Sequence, residues 1–376
     1  VTLAADVAIV GAGIAGAGLA AELAGEASVL LIEAEDQPGY HSTGRSAAFW
    51  SESYGGPFIQ PLTSASRGFL EAEGLLRERR GLHLADAAGK ARLAAMQFEL
   101  GGSVELLPLG RGEIERLLPG ARPGWDRALL EPSCKDIDVA ALHALYLARA
   151  RRSGARIVTG ARLTAAERRD GRWRLETKAG EMSAAVLVDA AGAWADEVAR
   201  LAGVRPLGIQ PCRRTVVQLR VDPPAPPDLP LVIDAGGRFY FKPEAGGRIW
   251  LSPHDETPCD PCDCAPEEID VALAIDRLEQ VVDWKVLRVE RAWAGLRSFA
   301  PDRLPVYGFD PSVEGFFWCA GQGGFGIQTA PAASALAAAL LLGRDTVLDP
   351  APYSVERFRA SGHRETAFHP GSGKHL

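Results

Sequence analysis

The chain has no basic stripe, no long apolar run and no internal repeat, and each absence removes a class of function. Lys and Arg number 41 against 48 Asp and Glu, a formal net charge of −7 over 376 residues. A nucleic-acid surface needs the opposite balance gathered on one face, so no nucleic-acid partner is expected. The densest cationic run, Arg149 to Arg152, closes an apolar helical pattern, where positive charge offsets the negative end of a helix. The most apolar stretch, Ala330 to Leu342, is too short to cross a bilayer and reads as a buried helix. No export signal precedes the first strand, so the expected compartment is the cytoplasm, with peripheral contact to an inner membrane left open and no stable insertion. Cysteine is scarce as well, at six residues. Three crowd as Cys259-Asp-Pro-Cys262-Asp-Cys264 with His254 just upstream, which raises a zinc site. The spacing is cramped and no second Cys pair follows, so the stretch reads as a Pro/Asp-rich surface loop and no metal is expected.

What is present is strand and helix in alternation. Asp6 to Val10 is a β-branched apolar run, Gly11 to Ala24 has helical spacing with Gly25 as its stop, and Ser28 to Ile32 is a second strand. Together they make one βαβ unit. A polar loop from Tyr40 is expected to run into a helix capped by Ser42 or Thr43, residues 57–80 read as helical, and 81–134 read as irregular. Asp138 is placed to cap a helix reaching Arg152, with a strand at Arg156–Val158 and a hairpin about Asp170-Gly171 after it. A strand at Ala185–Val188 leads to a second glycine turn. Residues 205–290 change to short strands between Pro/Gly turns, such as Thr215–Val221 and Arg248–Ser252. The predicted class is α/β, α+β when the whole chain is counted: a discontinuous Rossmann-like domain (1–80, 135–204, 291–368) with an inserted, mainly antiparallel sheet (81–134, 205–290) and a flexible tail at 369–376.

Gly11-Ala-Gly13-Ile14-Ala15-Gly16 is a dinucleotide fingerprint in the right setting. Gly11 allows the tight turn after the strand, Gly13 lets backbone approach a pyrophosphate, and Gly16 allows close packing of helix on strand. Glu33, followed by Ala34, ends the second strand where a carboxylate accepts from ribose hydroxyls, which favours FAD or NAD over a phosphorylated ribose. Ser42, Thr43, Arg45, Ser46, Ala47 and Ala48 then offer hydroxyls and backbone donors for the second phosphate and a flavin. Ala161 is placed on the same site. Ala191, Gly192 and Trp194 follow a strand where backbone must pass close to the cofactor. Gly323, Gly324, Phe325, Gly326, Ile327, Gln328 and Thr329 open the late helix, whose dipole is expected to face the flavin's electron-rich edge.

These segments, with QPGYHSTGRSAA, VLVDAAGAW, LAGVRPLGIQP, RFYFKPEAG, WAGLRSF and EGFFWCAGQGGFGIQT, resemble the D-amino-acid oxidase superfamily, above all its D-arginine dehydrogenase branch. The resemblance covers nearly the whole chain. It implies non-covalent FAD and a sheet over the flavin's substrate side. It also implies that Arg297 clamps a substrate carboxylate, an anion for which a guanidinium offers paired donors. Arg214 and Tyr240 are implied on the same carboxylate, and Tyr54 as a loop tyrosine closing over the substrate. The plainer readings are a surface salt bridge for Arg214 and core packing for Tyr240.

Two departures bear on the substrate. Phe49, followed by Trp50, stands where that branch has a histidine, and no carboxylate aligns near Asp86–Ala91 to receive a cationic side chain. A small carboxylated amine is therefore expected rather than arginine. The expected reaction is hydride transfer from Cα to flavin N5, giving an imino acid that hydrolyses to a 2-oxo acid and ammonia. Glycine or sarcosine oxidation, 2-hydroxy-acid oxidation and a non-catalytic flavin protein remain alternatives. So do oxygen and a quinone as the electron acceptor.

Overall fold

The computed structural model describes residues 3–23 and 25–360, so the tail expected to be flexible at 369–376 lies outside the described residues. Val7 to Val10 and Val29 to Ile32 are buried on both faces, as parallel strands covered by helices must be. Strand Leu3–Val10 pairs in parallel with Val29–Ile32 on one side and Gly180–Asp189 on the other. Arg156–Val158 extends the parallel set beyond Val29–Ile32, and Phe316–Ala320 does so beyond Gly180–Asp189. The hairpin Leu163–Arg169/Arg172–Thr177 completes an eight-stranded sheet together with Val306–Phe309. Its turn residues Asp170 and Gly171 have φ 51 and 77, the two left-handed positions a tight hairpin requires.

Helices Ile14–Glu22, Val139–Arg152 and Ala330–Leu341 cover this sheet. Asp138 caps the second of them, its carboxylate accepting from the Ala141 N–H at 3.0 Å, and Arg149, Arg151 and Arg152 fill that helix's last turn. Small residues let the helices approach: a Cβ on Gly16 would lie 1.9 Å from the Gly11 carbonyl oxygen, and one on Gly18 would lie 2.2 Å from Ser334 Oγ.

A ten-stranded sheet forms the second layer. Its spine is the antiparallel pair Gln210–Asp222 and Lys285–Phe299, followed by Arg248–Ser252, Tyr240–Glu244 and Leu231–Asp234. One face is apolar, with Val217, Leu219, Phe241 and Leu251 packed with Ala274 and Leu278 of helix Glu268–Glu279. The opposite face carries Arg214, Val216 and Tyr240 towards the nucleotide-fold layer. Two-residue periodicity thus sorts one face into core and the other into a site.

Several sequence expectations are corrected. Residues 81–134 are ordered: Gly81–Ala85, Leu107–Gly110 and Arg127–Glu131 continue the ten-stranded sheet, flanked by helices Lys90–Leu100 and Arg111–Leu117. Their strands are short and carry Pro and Gly, which hid the alternation. The helix expected over 57–80 is Gln60–Ala72, halted at Gly74 with φ 66 before a strand at Leu76–Glu78. Strand Lys285–Phe299 crosses the boundary expected at 290/291 and lies wholly in the ten-stranded sheet. No helix starts at Ser42 or Thr43. The segment is a series of turns running into a short strand, Phe49–Trp50, because both hydroxyls are engaged elsewhere: Ser42 Oγ donates to the Leu296 carbonyl, and Thr43 Oγ1 accepts from the Ile14 N–H. Among the described residues no helix is long and apolar enough to cross a membrane.

Gly16→Ala is expected to cost about 2 kcal/mol or more of unfolding free energy, because its methyl collides with backbone. Gly68→Ala, on an exposed helical turn with nothing within 4 Å, should gain about 0.5–1 kcal/mol. Urea midpoints of the two variants against wild type check the contrast.

Candidate active site

A cleft runs between the two layers. Its first end is built by the turn after strand Leu3–Val10. Gly11 has φ 101, and a Cβ there would lie 2.4 Å from the Ala190 carbonyl oxygen, so only glycine makes this turn. Gly13, Ile14 and Ala15 of the helix start line the cleft, with no acidic residue in the helix's first turn. Glu33 and Ala34 line it from the next strand. The Glu33 carboxylate accepts from the Ala12 N–H at 2.9 Å and the Glu35 N–H at 3.0 Å, which aims it across the glycine turn and leaves lone pairs for a hydroxyl donor. Ala161, Ala191, Gly192 and Trp194 form the opposite wall, and Ser42, Thr43, Arg45, Ser46 and Ala47 the next stretch. A helix start with no acidic residue in its first turn, beside a glycine cradle with a carboxylate at one end, fits a diphosphate and an unphosphorylated ribose.

Gly323, Gly324, Gly326 and Ile327 bring the late glycine-rich turn to the same cleft. The helix itself begins only at Ala330, with Pro331 in its first turn. Proline is pre-set for that position and fixes the start, so turns rather than the helix terminus face the cleft here. Gly16, Phe325 and Thr329 stand behind the wall, while Ala48 and Gln328 line a neighbouring hollow.

The second end of the cleft is cationic. Arg214 and Arg297 come from the paired central strands, where Gly295 lies directly opposite Arg214 and Arg297 follows two residues on, on the same face. Arg214 is 4% exposed. Its Nε donates to the Asp255 carbonyl at 2.6 Å and one Nη to Glu256 at 3.0 Å, whereas Nη1 has no partner. Burial, then the neighbouring Arg297 charge, hold its pKa below the ordinary value, yet a guanidinium remains charged. Arg214 is thus not a surface ion pair; its neighbour Arg213, also nearly buried, pairs with Glu267 and Asp270 on the other face. Arg297 Nη1 donates to the Tyr54 hydroxyl at 2.8 Å. A Cβ on Gly324 would lie 2.4 Å from that same Nη1, so this glycine is what gives the guanidinium its place.

Tyr54 and Tyr240 close this end. Both pack edge-on to Phe49, with ring centroids 5.0 and 5.8 Å away. Burial would raise the Tyr54 hydroxyl, but the Arg297 and Arg214 charges and the Arg297 hydrogen bond bring it below its ordinary pKa. Phe49, Tyr54, Tyr240 and Arg297 bound a hollow of about 30 Å³ whose lining holds no carboxylate. Trp50 does not contribute. Its indole donates to the Thr63 carbonyl and lies in the core beside Leu70 and Tyr146.

The loop that carries Tyr54 is tied down by a buried polar network that the sequence reading missed. Glu131, 0% exposed, accepts from the Ser51 hydroxyl at 2.8 Å, the Ser53 hydroxyl at 2.5 Å, the Glu52 N–H at 2.7 Å and His83 Nε2 at 3.1 Å. Gln328 donates to the Tyr54 carbonyl at 2.9 Å. Glu131 has no local sequence signal, since its partners are distant in the chain, and Gln328, expected beside the cofactor, instead holds the Tyr54 loop. His254 was missed too, read only as an adjunct of the cysteine cluster. Its Nε2 is 3.3 Å from the Tyr54 hydroxyl. The three clustered cysteines are free thiols, and among the described residues no group of His, Cys, Asp and Glu is arranged to hold a metal ion.

The model of the family described as FAD dependent oxidoreductase (DAO) matches residues 6–340. A glycine oxidase of Pseudomonas aeruginosa is 31% identical over 185 residues, which cover 47% of this chain and 47% of that protein. The matched stretch thus spans about half the length of that relative. A glycine oxidase of Geobacillus kaustophilus is 27% identical over 374 residues, covering 94% of this chain and 97% of that one. Its crystal structure superposes with a TM-score of 0.83 at 25% identity, over 95% of this chain and 99% of that one. An L-proline dehydrogenase from P. horikoshii shares the fold at a TM-score of 0.85 and 20% identity, over 97% of this chain and all (100%) of that one.

Burial would raise the Glu131 carboxyl, but the His83 bond and charge and the two serine hydroxyls bring it below its ordinary 4.5. A depressed carboxylate stabilises the fold fully above that ordinary value, and the contribution is lost as pH falls through the folded pKa. Glu131→Gln should therefore cost about 3 kcal/mol at neutral pH. The gap to wild type should narrow as pH drops below 4.5, as urea midpoints measured across pH would reveal.

Proposed function

Because the chain belongs to the DAO family of FAD-dependent oxidoreductases, we propose that it oxidises the Cα–N bond of a small neutral amino acid, with D enantiomers as substrates. One observation carries this reading: Arg297, Tyr54 and Tyr240 bound a small hollow without a carboxylate, and Arg214 lines the adjoining cleft beside Arg297. Two guanidiniums make a site for one carboxylate. The unpartnered Nη1 of Arg214 is a donor still owed an acceptor, and a substrate carboxylate supplies it. The hollow's lining includes Phe49 and no carboxylate, so a cationic side chain there would be buried without an ionic partner.

Bound FAD would supply the two-electron acceptor for the Cα hydride. The protein's own part is orientation and charge. Arg297 and Arg214 hold the carboxylate, Tyr240 and Phe49 limit how far Cα can swing, and closure by Tyr54 excludes water. The amine gives its proton to solvent before oxidation, and the imino acid leaves to hydrolyse to a 2-oxo acid and ammonia. The D configuration rests on the resemblance of the cofactor and substrate segments. Glycine is the second reading, favoured by the hollow's size and by the relatives that carry that name.

An anaerobic screen of D-alanine, L-alanine, glycine, sarcosine, D-arginine and 2-hydroxyglutarate, followed by loss of flavin absorbance, separates these readings. Rapid bleaching by D-alanine with D-arginine inert is the expected result. Bleaching by glycine alone installs the second reading, and bleaching by D-arginine or the hydroxy acid removes both. Arg297→Ala should retain FAD and lose at least about a hundredfold in kcat/KM, and unchanged kinetics would remove Arg297 from the site.

A further inference from the structure

We propose that His254 is a positioning residue for the carboxylate site: it decides whether the Tyr54 hydroxyl points at the imidazole or at the substrate. The proposal rests on the reading of Arg214 and Arg297 as the substrate's carboxylate ligands. His254 lies in the segment joining strand Arg248–Ser252 to Thr257–Pro258 and has φ 54. The left-handed region is costly for a residue with a Cβ and persists where the surroundings hold it. Two hydrogen bonds do so. The His254 N–H donates to Ser252 Oγ at 3.1 Å, and ring Nδ1 lies 3.0 Å from the Gly237 carbonyl oxygen.

That second contact fixes the tautomer. A carbonyl only accepts, so Nδ1 carries the hydrogen and Nε2 of the neutral ring is an acceptor. The Tyr54 hydroxyl, 3.3 Å away, then donates to Nε2 while its oxygen accepts from Arg297 Nη1 at 2.8 Å. In this state Tyr54 has no hydrogen left for a substrate anion. When the imidazole takes up a proton, Nε2–H donates to the Tyr54 oxygen instead, and the hydroxyl hydrogen must turn to another acceptor. The substrate carboxylate on the Arg297 side is that acceptor, and it also gains a nearby positive charge. Anion binding therefore takes up a proton, and affinity falls as pH rises through the imidazole's titration.

The two residues after His254 act on the same site. The Asp255 carbonyl and the Glu256 carboxylate hold Arg214, so one segment sets both Tyr54 and Arg214. Other charged and titratable groups pack near the ring. Tyr54 and Tyr240 face it, with centroids 6.3 and 5.7 Å away. The Asp255 carboxylate accepts from Thr215, Glu256 also pairs with Arg303, and Arg277 from helix Glu268–Glu279 donates to the Pro253 carbonyl. Arg238 is paired with Asp234 and Asp86. Of all these side chains, imidazole is the type whose ordinary titration lies between about pH 5 and pH 8.

The test measures propionate binding to the FAD-loaded protein by calorimetry between about pH 6 and pH 8. Propionate has a carboxylate and no amine, so turnover does not intrude. Wild type should weaken by about tenfold across that range. His254→Gln, whose amide oxygen accepts the hydroxyl but does not titrate there, should bind at the weak level throughout. Tyr54→Phe, which has no hydroxyl to redirect, should have a shallower profile than wild type, keeping only the part due to the imidazole's charge. A flat wild-type profile, or a His254→Gln profile as steep as wild type, overturns the proposal while leaving the carboxylate site standing. No propionate binding at any pH overturns both.

Discussion

Two like charges held side by side inside the protein set the terms for everything around them. Arg214 and Arg297 repel each other on adjacent strands, and burial removes the water that would screen them. The protein compensates only in part. Arg214 receives the Asp255 carbonyl and the carboxylates of Glu256 at 3.0 Å and Asp255 at 3.9 Å, Arg297 receives a tyrosine oxygen, and Nη1 of Arg214 is left without an acceptor. A pair with every donor met would be a structural ion cluster. The unmet Nη1 leaves this pair able to receive a further anion.

The fold is arranged to maintain that deficit. The ten-stranded sheet spends one face on a core with helix Glu268–Glu279, which makes it stiff enough to hold cations on the other. Gly324 keeps room for the Arg297 guanidinium, and Gly295, opposite Arg214, keeps room for the Arg45 side chain. The Glu131 network anchors the residues just before Tyr54, so the tyrosine meets Arg297 from a fixed loop. On the other layer the glycine turn and Glu33 mark out a dinucleotide site, and the cleft that begins there ends at the two arginines. One cavity thus joins the glycine turn and Glu33 to the two arginines.

Local chemistry was legible in the sequence, and long-range closure was not. The βαβ unit could be read because strand, glycine turn, helix and Glu33 lie within one short stretch. Arg297 and Tyr240 could be placed because their segments resemble a family over several residues each. Arg213 and Arg214 are adjacent and chemically identical, and only the alternation of a strand tells which faces the cleft. Ser42 and Thr43 carry the signal of a helix cap, yet they bond Leu296 and Ile14, partners that no local pattern contains. Glu131 and His254 act through residues about 80 and 200 positions away, contacts that exist only after the sheet has assembled. The order within 81–134 was hidden for a related reason, since those short strands are stabilised by pairing rather than by propensity.

The central claim is that the guanidiniums of buried Arg214 and half-buried Arg297 are the carboxylate site of an amino-acid oxidoreductase. A crystal structure of the FAD-loaded protein with propionate tests it most directly. The account predicts the carboxylate between Arg297 and the free Nη1 of Arg214, with the ligand's carbon chain against Phe49 and Tyr240. Propionate bound elsewhere, with Arg214 Nη1 still lacking an acceptor, would contradict it.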